Sequence, residues 1–100
     1  MKKVLKKIEI KDALKKLPEW KLVNGKLVSE FVFSDFRETI AFMVRTSFYI
    51  EEKNHHPEWS NVYNKLKVNY ISHDVAGITL RDLEMARIFS KIYGKSFKKK

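Results

Sequence analysis

Asn24-Gly25 restricts the fold more than any other dipeptide in the chain. Both residues tolerate the positive φ that a two-residue type I′ turn demands, so the flanking stretches, Trp20 to Val23 and Lys26 to Phe33, are expected to run antiparallel side by side. On the second stretch Leu27, Phe31 and Phe33 point one way and Val28, Glu30 and Val32 the other, the period of a sheet with one covered face. Asp35 and Glu38 then form a capping-box pattern that starts a helix expected over 36 to 52. Its apolar stripe reads Phe36, Ile40, Met43, Val44, Ser47 and Phe48. Phe42 and Tyr49 lie off that stripe and are expected on a second face, packed against another subunit.

The same order then recurs. Trp59 to Tyr63 and Leu66 to Ser72 read as a second hairpin about a weaker turn at Asn64-Lys65, with Val68 and Tyr70 alternating against Lys67 and Asn69. Thr79 caps a last helix with Asp82 at its third position, a stripe of Leu80, Leu83, Ala86, Phe89 and Tyr93, and Gly94 just past its end. An opening helix is expected over Ile10 to Leu17, where Ile10, Ala13, Leu14 and Leu17 share a face and Pro18 stops the pattern. The order α-β-β-α-β-β-α implies an α+β fold, a four-stranded antiparallel sheet with its helices packed on one face. One hundred residues suit a single domain spanning 1–100.

Composition removes several classes of function. The chain has no cysteine, which excludes disulfide scaffolds, thiolate metal sites and cysteine nucleophiles. It has no apolar run of membrane-spanning length, and its basic start leads into no signal-peptide core, so a cytoplasmic protein is expected. Phosphate-binding glycine loops and a nucleophile elbow are absent too. The net charge of +9 invites a nucleic-acid partner. Eight of the lysines, however, sit in the end segments, at 2, 3, 6 and 7 and at 95 and 98 to 100. Between Glu9 and Gly94 there are 13 basic and 12 acidic residues, a net of +1. The ends, about 1–8 and 95–100, therefore read as solvated and dispensable basic tails, and nucleic acid is not expected as a partner.

All three histidines, His55, His56 and His73, fall within 19 residues, and none belongs to an apolar helical stripe. Histidine gives and takes protons near neutrality, so three of them beside Glu51 point to acid–base chemistry in a shared pocket. A three-histidine zinc site is the rival, but adjacent residues seldom ligate one ion and an i, i+4 pair is missing. A surface loop with incidental histidines is the other.

The run Glu51-Glu52-Lys53-Asn54-His55-His56-Pro57, followed by Tyr63, His73 and Asp82 at intervals of five, nine and eight residues, resembles the signature of the pterin-4a-carbinolamine dehydratases. The likeness spans about residues 10 to 93 and takes in Trp20 and Phe33-Ser34-Asp35-Phe36. It implies dehydration of a 4a-hydroxytetrahydropterin to the quinonoid dihydropterin, in support of tetrahydropterin recycling, without a metal or organic cofactor. It implies homodimers or homotetramers built through the long central helix. By correspondence His55, His56 and His73 carry catalysis, Glu51 holds or polarises the pterin, and Asn54, Ser72 and Asp74 line the pocket with Trp20 as a nearby wall. Tyr63 and Asp82 have plainer explanations as strand packing and helix capping. The alternative for such a chain is a non-catalytic dimerisation module for a transcription factor or another protein.

Overall fold

A computed structural model of the chain describes residues 3–97. Its elements are α1 (Lys7–Leu14), β1 (Lys21–Val23), β2 (Lys26–Val32), α2 (Phe36–Lys53), β3 (Glu58–Val62), β4 (Lys65–Tyr70) and α3 (Leu80–Ser96). This is the expected α+β order. The strands form one antiparallel sheet in the order β1-β2-β4-β3, so the second strand of each hairpin lies in the middle. Asn24 and Gly25 turn at φ 50° and 77°, and Val23 faces Lys26 across the resulting two-residue loop. Leu27, Phe31 and Phe33, with Leu66, Val68 and Tyr70, are buried on the face that the helices cover. Phe31, Phe42 and Phe89 join Trp20, Tyr70 and Tyr93 in one network of edge-on and tilted rings.

Several boundaries and faces differ from the sequence expectations. The first helix starts at Lys7 rather than Ile10, because the Glu9 carboxylate accepts the Lys6 backbone N–H at 2.9 Å and closes the first turn. Leu17 is buried as expected but lies beyond the helix, in a turn where its carbonyl accepts from Trp20 N. The second hairpin turns at Tyr63-Asn64, one residue earlier than expected, with Tyr63 at φ 51° and Val62 facing Lys65. Tyr63 is accordingly exposed, not packed in a strand. Leu80 is also exposed, while Met85 and Ile92 join Leu83, Ala86 and Phe89 in the core. Gly94 does not end α3. The helix runs on to Ser96, and Phe97 docks its ring against Phe33 and Phe42, at 5.8 and 5.4 Å, packing that outweighs the roughly 1 kcal/mol a helical glycine costs.

The long helix α2 turns the other way from its apolar pattern. Thr39, Phe42, Thr46 and Ile50 face the core, whereas Phe36, Ile40, Val44 and Phe48 are exposed. Thr39 and Thr46 can be buried because each hydroxyl donates to the carbonyl four residues earlier, Asp35 and Phe42, both at 2.9 Å. Phe42 is fully buried in its own subunit and so cannot form the interface expected of it.

The N-terminal basic stretch is only partly a tail. Leu5 is buried, its N–H donates to the Ile78 carbonyl at 2.8 Å, and Val4 packs so closely on Gly77 that a Cβ there would lie 2.7 Å from it. At the other end Lys95 belongs to α3. Lys2 and residues 98 to 100 lie outside the described residues.

Candidate active site

The chain leaves α2 through Asn54, which adopts the left-handed conformation at φ 49° and donates its N–H back to the Ile50 and Glu51 carbonyls. Arg81, at the start of α3, donates to the carbonyls of Asn54 (2.7 Å) and Lys53 (3.3 Å) and so satisfies the end of α2. The corner sends the next two side chains in opposite directions. His55 turns inward, is 8% exposed, and stacks on Tyr70 with ring centroids 5.1 Å apart. His56 stays outside and meets Glu51, its Nε2 2.7 Å from Oε1.

His55 Nε2 lies 2.6 Å from Oδ1 of Asp82, which has no exposed surface. The second oxygen of Asp82 accepts from Ser72 Oγ and from Thr79 N–H, each at 2.8 Å. Both carboxylate oxygens are therefore placed to accept, so Nε2 is the nitrogen of His55 that donates to Asp82. The Tyr70 hydroxyl donates to the His55 carbonyl at 3.0 Å, and burial pushes its pKa well above the ordinary value of 10.0. Asp82 is thus the helix cap that sequence indicated and also the partner of His55.

His73 follows β4 in a tight turn, closed where Ser72 and Gly77 exchange backbone hydrogen bonds and where Ala76 N donates to the His73 carbonyl. Its Nε2 lies 3.3 Å from Oε2 of Glu58, whose Oε1 accepts from Lys26 Nζ at 2.7 Å. The Lys26 hydrogen bond holds the Glu58 carboxyl below the ordinary carboxylate range. Glu58 also borders a hollow of about 250 Å3 on the uncovered face of the sheet, with Trp59, Ser60, Lys67 and Asn69. Asn69 Oδ1 there is buried with no hydrogen-bond partner among the described residues. A larger groove of about 600 Å3 between α1 and α3 contains none of the histidines.

Each histidine therefore has its own carboxylate: Asp82, Glu51 or Glu58. Among the described residues no three histidine or acidic side chains gather in a way that could hold a metal ion. Ser72 is fully buried and its hydroxyl is committed to Asp82 and Thr79. Asp74 is exposed in the turn after His73. Trp20 does not stand at an open wall: it is 3% exposed, donates from Nε1 to Ser90 Oγ at 3.0 Å, and approaches the site only through Tyr70. Sequence reasoning missed Glu58, Tyr70 and Arg81. Tyr70 and Glu58 carried only strand alternation and Arg81 only its place in the first turn of a helix, none of which marks a partner distant in the chain.

Known proteins resemble this chain over most of its length. A curated relative from Solibacter usitatus, provisionally named a pterin-4-alpha-carbinolamine dehydratase, is 44% identical over 82% of this chain and 86% of its own. One from Opitutus terrae with the same provisional name is 41% identical over 92% and 96%. A crystal structure described as a transcriptional coactivator/pterin dehydratase from Brucella melitensis superposes with a TM-score of 0.87 at 35% identity, covering 90% of this chain and 98% of that one. The family model for pterin 4 alpha carbinolamine dehydratase matches residues 3–92, nearly the whole described chain, and the protein belongs to that family.

Proposed function

We propose that the protein is a hydro-lyase that removes water from a 4a-hydroxytetrahydropterin to give the quinonoid dihydropterin. The observation that carries this reading is the pairing of every histidine with a carboxylate, His55 most rigidly of all. The reaction needs a proton delivered to the departing C4a hydroxyl and another removed from a ring nitrogen. The net loss is one water. Imidazoles whose Nε2 is held by a carboxylate present Nδ1 in a fixed direction: a neutral ring takes the proton from the ring nitrogen there, and a ring that enters as imidazolium gives its Nδ1 proton to the departing hydroxyl. His56 and His73, open to solvent, exchange their protons with water between turnovers. Glu51 and Asn54 flank the histidine corner where the pterin would lie. With this reading goes a cytoplasmic enzyme that serves tetrahydropterin recycling.

The test is a stopped assay of 4a-hydroxytetrahydropterin loss above the buffer rate. Alanine at His55 or His73 should lower turnover by about 10²-fold or more. A purified, folded protein that gives no acceleration would overturn the assignment.

A homo-oligomer completes the proposal, through the exposed stripe of α2 rather than through Phe42. Phe36, Ile40, Val44 and Phe48 recur every four residues along one face of the helix and lie 49%, 37%, 53% and 71% exposed. Such a continuous apolar stripe is a poor surface to leave in water. A symmetric second copy would cover it. Sedimentation of the native chain should show a dimer or tetramer, and Ile40→Asp with Val44→Asp should yield monomers; an unchanged oligomer would place the interface elsewhere.

The Brucella structure's description as a coactivator favours a second reading, in which the same stripe receives a helix of another protein. Intact folding with no turnover at all would favour that reading.

A further inference from the structure

We propose that Glu58 is a positioning residue that fixes the imidazole of His73 for proton transfer, an inference that rests on the dehydratase reading above. The two oxygens of Glu58 have different partners. Oε1 is anchored 2.7 Å from Lys26 Nζ, at the first residue of β2 beside the Asn24-Gly25 turn, and Oε2 faces His73 Nε2 at 3.3 Å. The lysine ties the carboxylate to the hairpin, so the acceptor offered to His73 is held in place. His73 needs such an anchor. Its backbone is held by the Ser72–Gly77 turn, but its side chain is 67% exposed and, among the described residues, has no stacked ring like Tyr70 beside His55. A carboxylate 3.3 Å from Nε2 favours the proton on that nitrogen of His73, as Asp82 does for His55 from a closer 2.6 Å. Glu58 and Asp82 thus do one task by different means, the first from a surface ion pair and the second from the core.

Three variants separate this role from simple support of the sheet. Glu58→Ala should lower kcat about tenfold while KM moves less than about threefold, since orientation rather than affinity is lost. Glu58→Gln retains an amide oxygen that accepts the Nε2 proton and should recover most of the rate. Lys26→Met leaves the carboxylate without its anchor and should cost part of the rate, about threefold against about tenfold for Glu58→Ala. Imidazole ¹⁵N spectra should show His73 as the Nε2–H tautomer in the native protein and as a mixture in Glu58→Ala, with His55 unchanged in both. The proposal is overturned if Glu58→Ala leaves the His73 tautomer unchanged, or if Glu58→Ala and Lys26→Met both leave kcat at the native value. Absence of turnover in the native protein would overturn the dehydratase reading alone, and the spectra would still decide whether Glu58 sets the ring.

Discussion

His55 and His56 adjoin in the chain but lie in different media. The first is enclosed by Tyr70 and Asp82, with its Nε2 2.6 Å from a carboxylate that has no exposed surface. The second stands in water beside Glu51 at nearly the same distance, 2.7 Å, with side chains 55% and 78% exposed. Equal distances therefore conceal unequal energetics. Inside, each polar group depends on the others because water cannot replace a missing partner. Outside, water competes for both groups and a lost contact is refilled at once. A single left-handed residue, Asn54, is what divides the two histidines between these environments.

The sharpest way to break the comparison is to remove the buried partner. Asp82→Ala strands the Nε2 proton of His55, the Ser72 hydroxyl and the Thr79 N–H together, and should cost about 3 kcal/mol of stability in a urea titration. A loss below about 1 kcal/mol would mean that water reaches the centre after all. Turnover should fall in the same variant even at temperatures where it stays folded.

A smaller effect is expected from pH. The folded-state pKa of Tyr70 is raised above the ordinary 10.0, mainly by burial and then by the nearby charge of Asp82. A raised acid pKa means that the folded state holds its proton more tightly than the unfolded chain does. Its contribution to stability is full below about pH 10 and is lost as pH rises beyond that value. The urea midpoint of the native protein should drop between about pH 10 and 11, and Tyr70→Phe should drop less over the same interval. Equal slopes would place the alkaline loss elsewhere.

The smallest effect belongs outside. Glu51→Gln should leave the denaturation midpoint unchanged within error, because the exposed pair adds little to folding, while lowering kcat/KM if Glu51 meets the pterin. A clear loss of stability would show that the outer pair is less open than its exposure indicates.

Local signals in the sequence were strong enough to define the elements. The Asn24-Gly25 turn, the Asp35 cap and the Thr79–Asp82 box each act within four residues, so their meaning does not depend on the rest of the chain. The orientation of α2 was not legible in the same way. Its apolar side chains outnumber its core positions, and the buried places went to Thr39 and Thr46, whose hydroxyls satisfy themselves on their own helix. The site was legible in its residue types and only partly in its geometry. Three histidines in one short window marked out a candidate site, but nothing local shows that His55 is the buried one or that Glu58 reaches His73. Trp20 marks the opposite case, a residue that the resemblance implied as a wall and the ring network placed in the core.

The contact of Leu5 and Val4 with Ile78 and Gly77 has a consequence for the order in which the molecule can close. Val4 and Leu5 find their partners only after β4 and the turn bearing His73 have followed. The first hairpin and α2 can form from neighbouring residues as they emerge, whereas this strap requires loop closure over most of the chain. Its hydrogen bond and its methyl packing then bear on the far side of the same turn that presents His73. The loop that carries His73 is therefore clasped by a segment far earlier in the chain, and until that clasp engages the molecule can hold every element of the sheet while this loop stays open on one side.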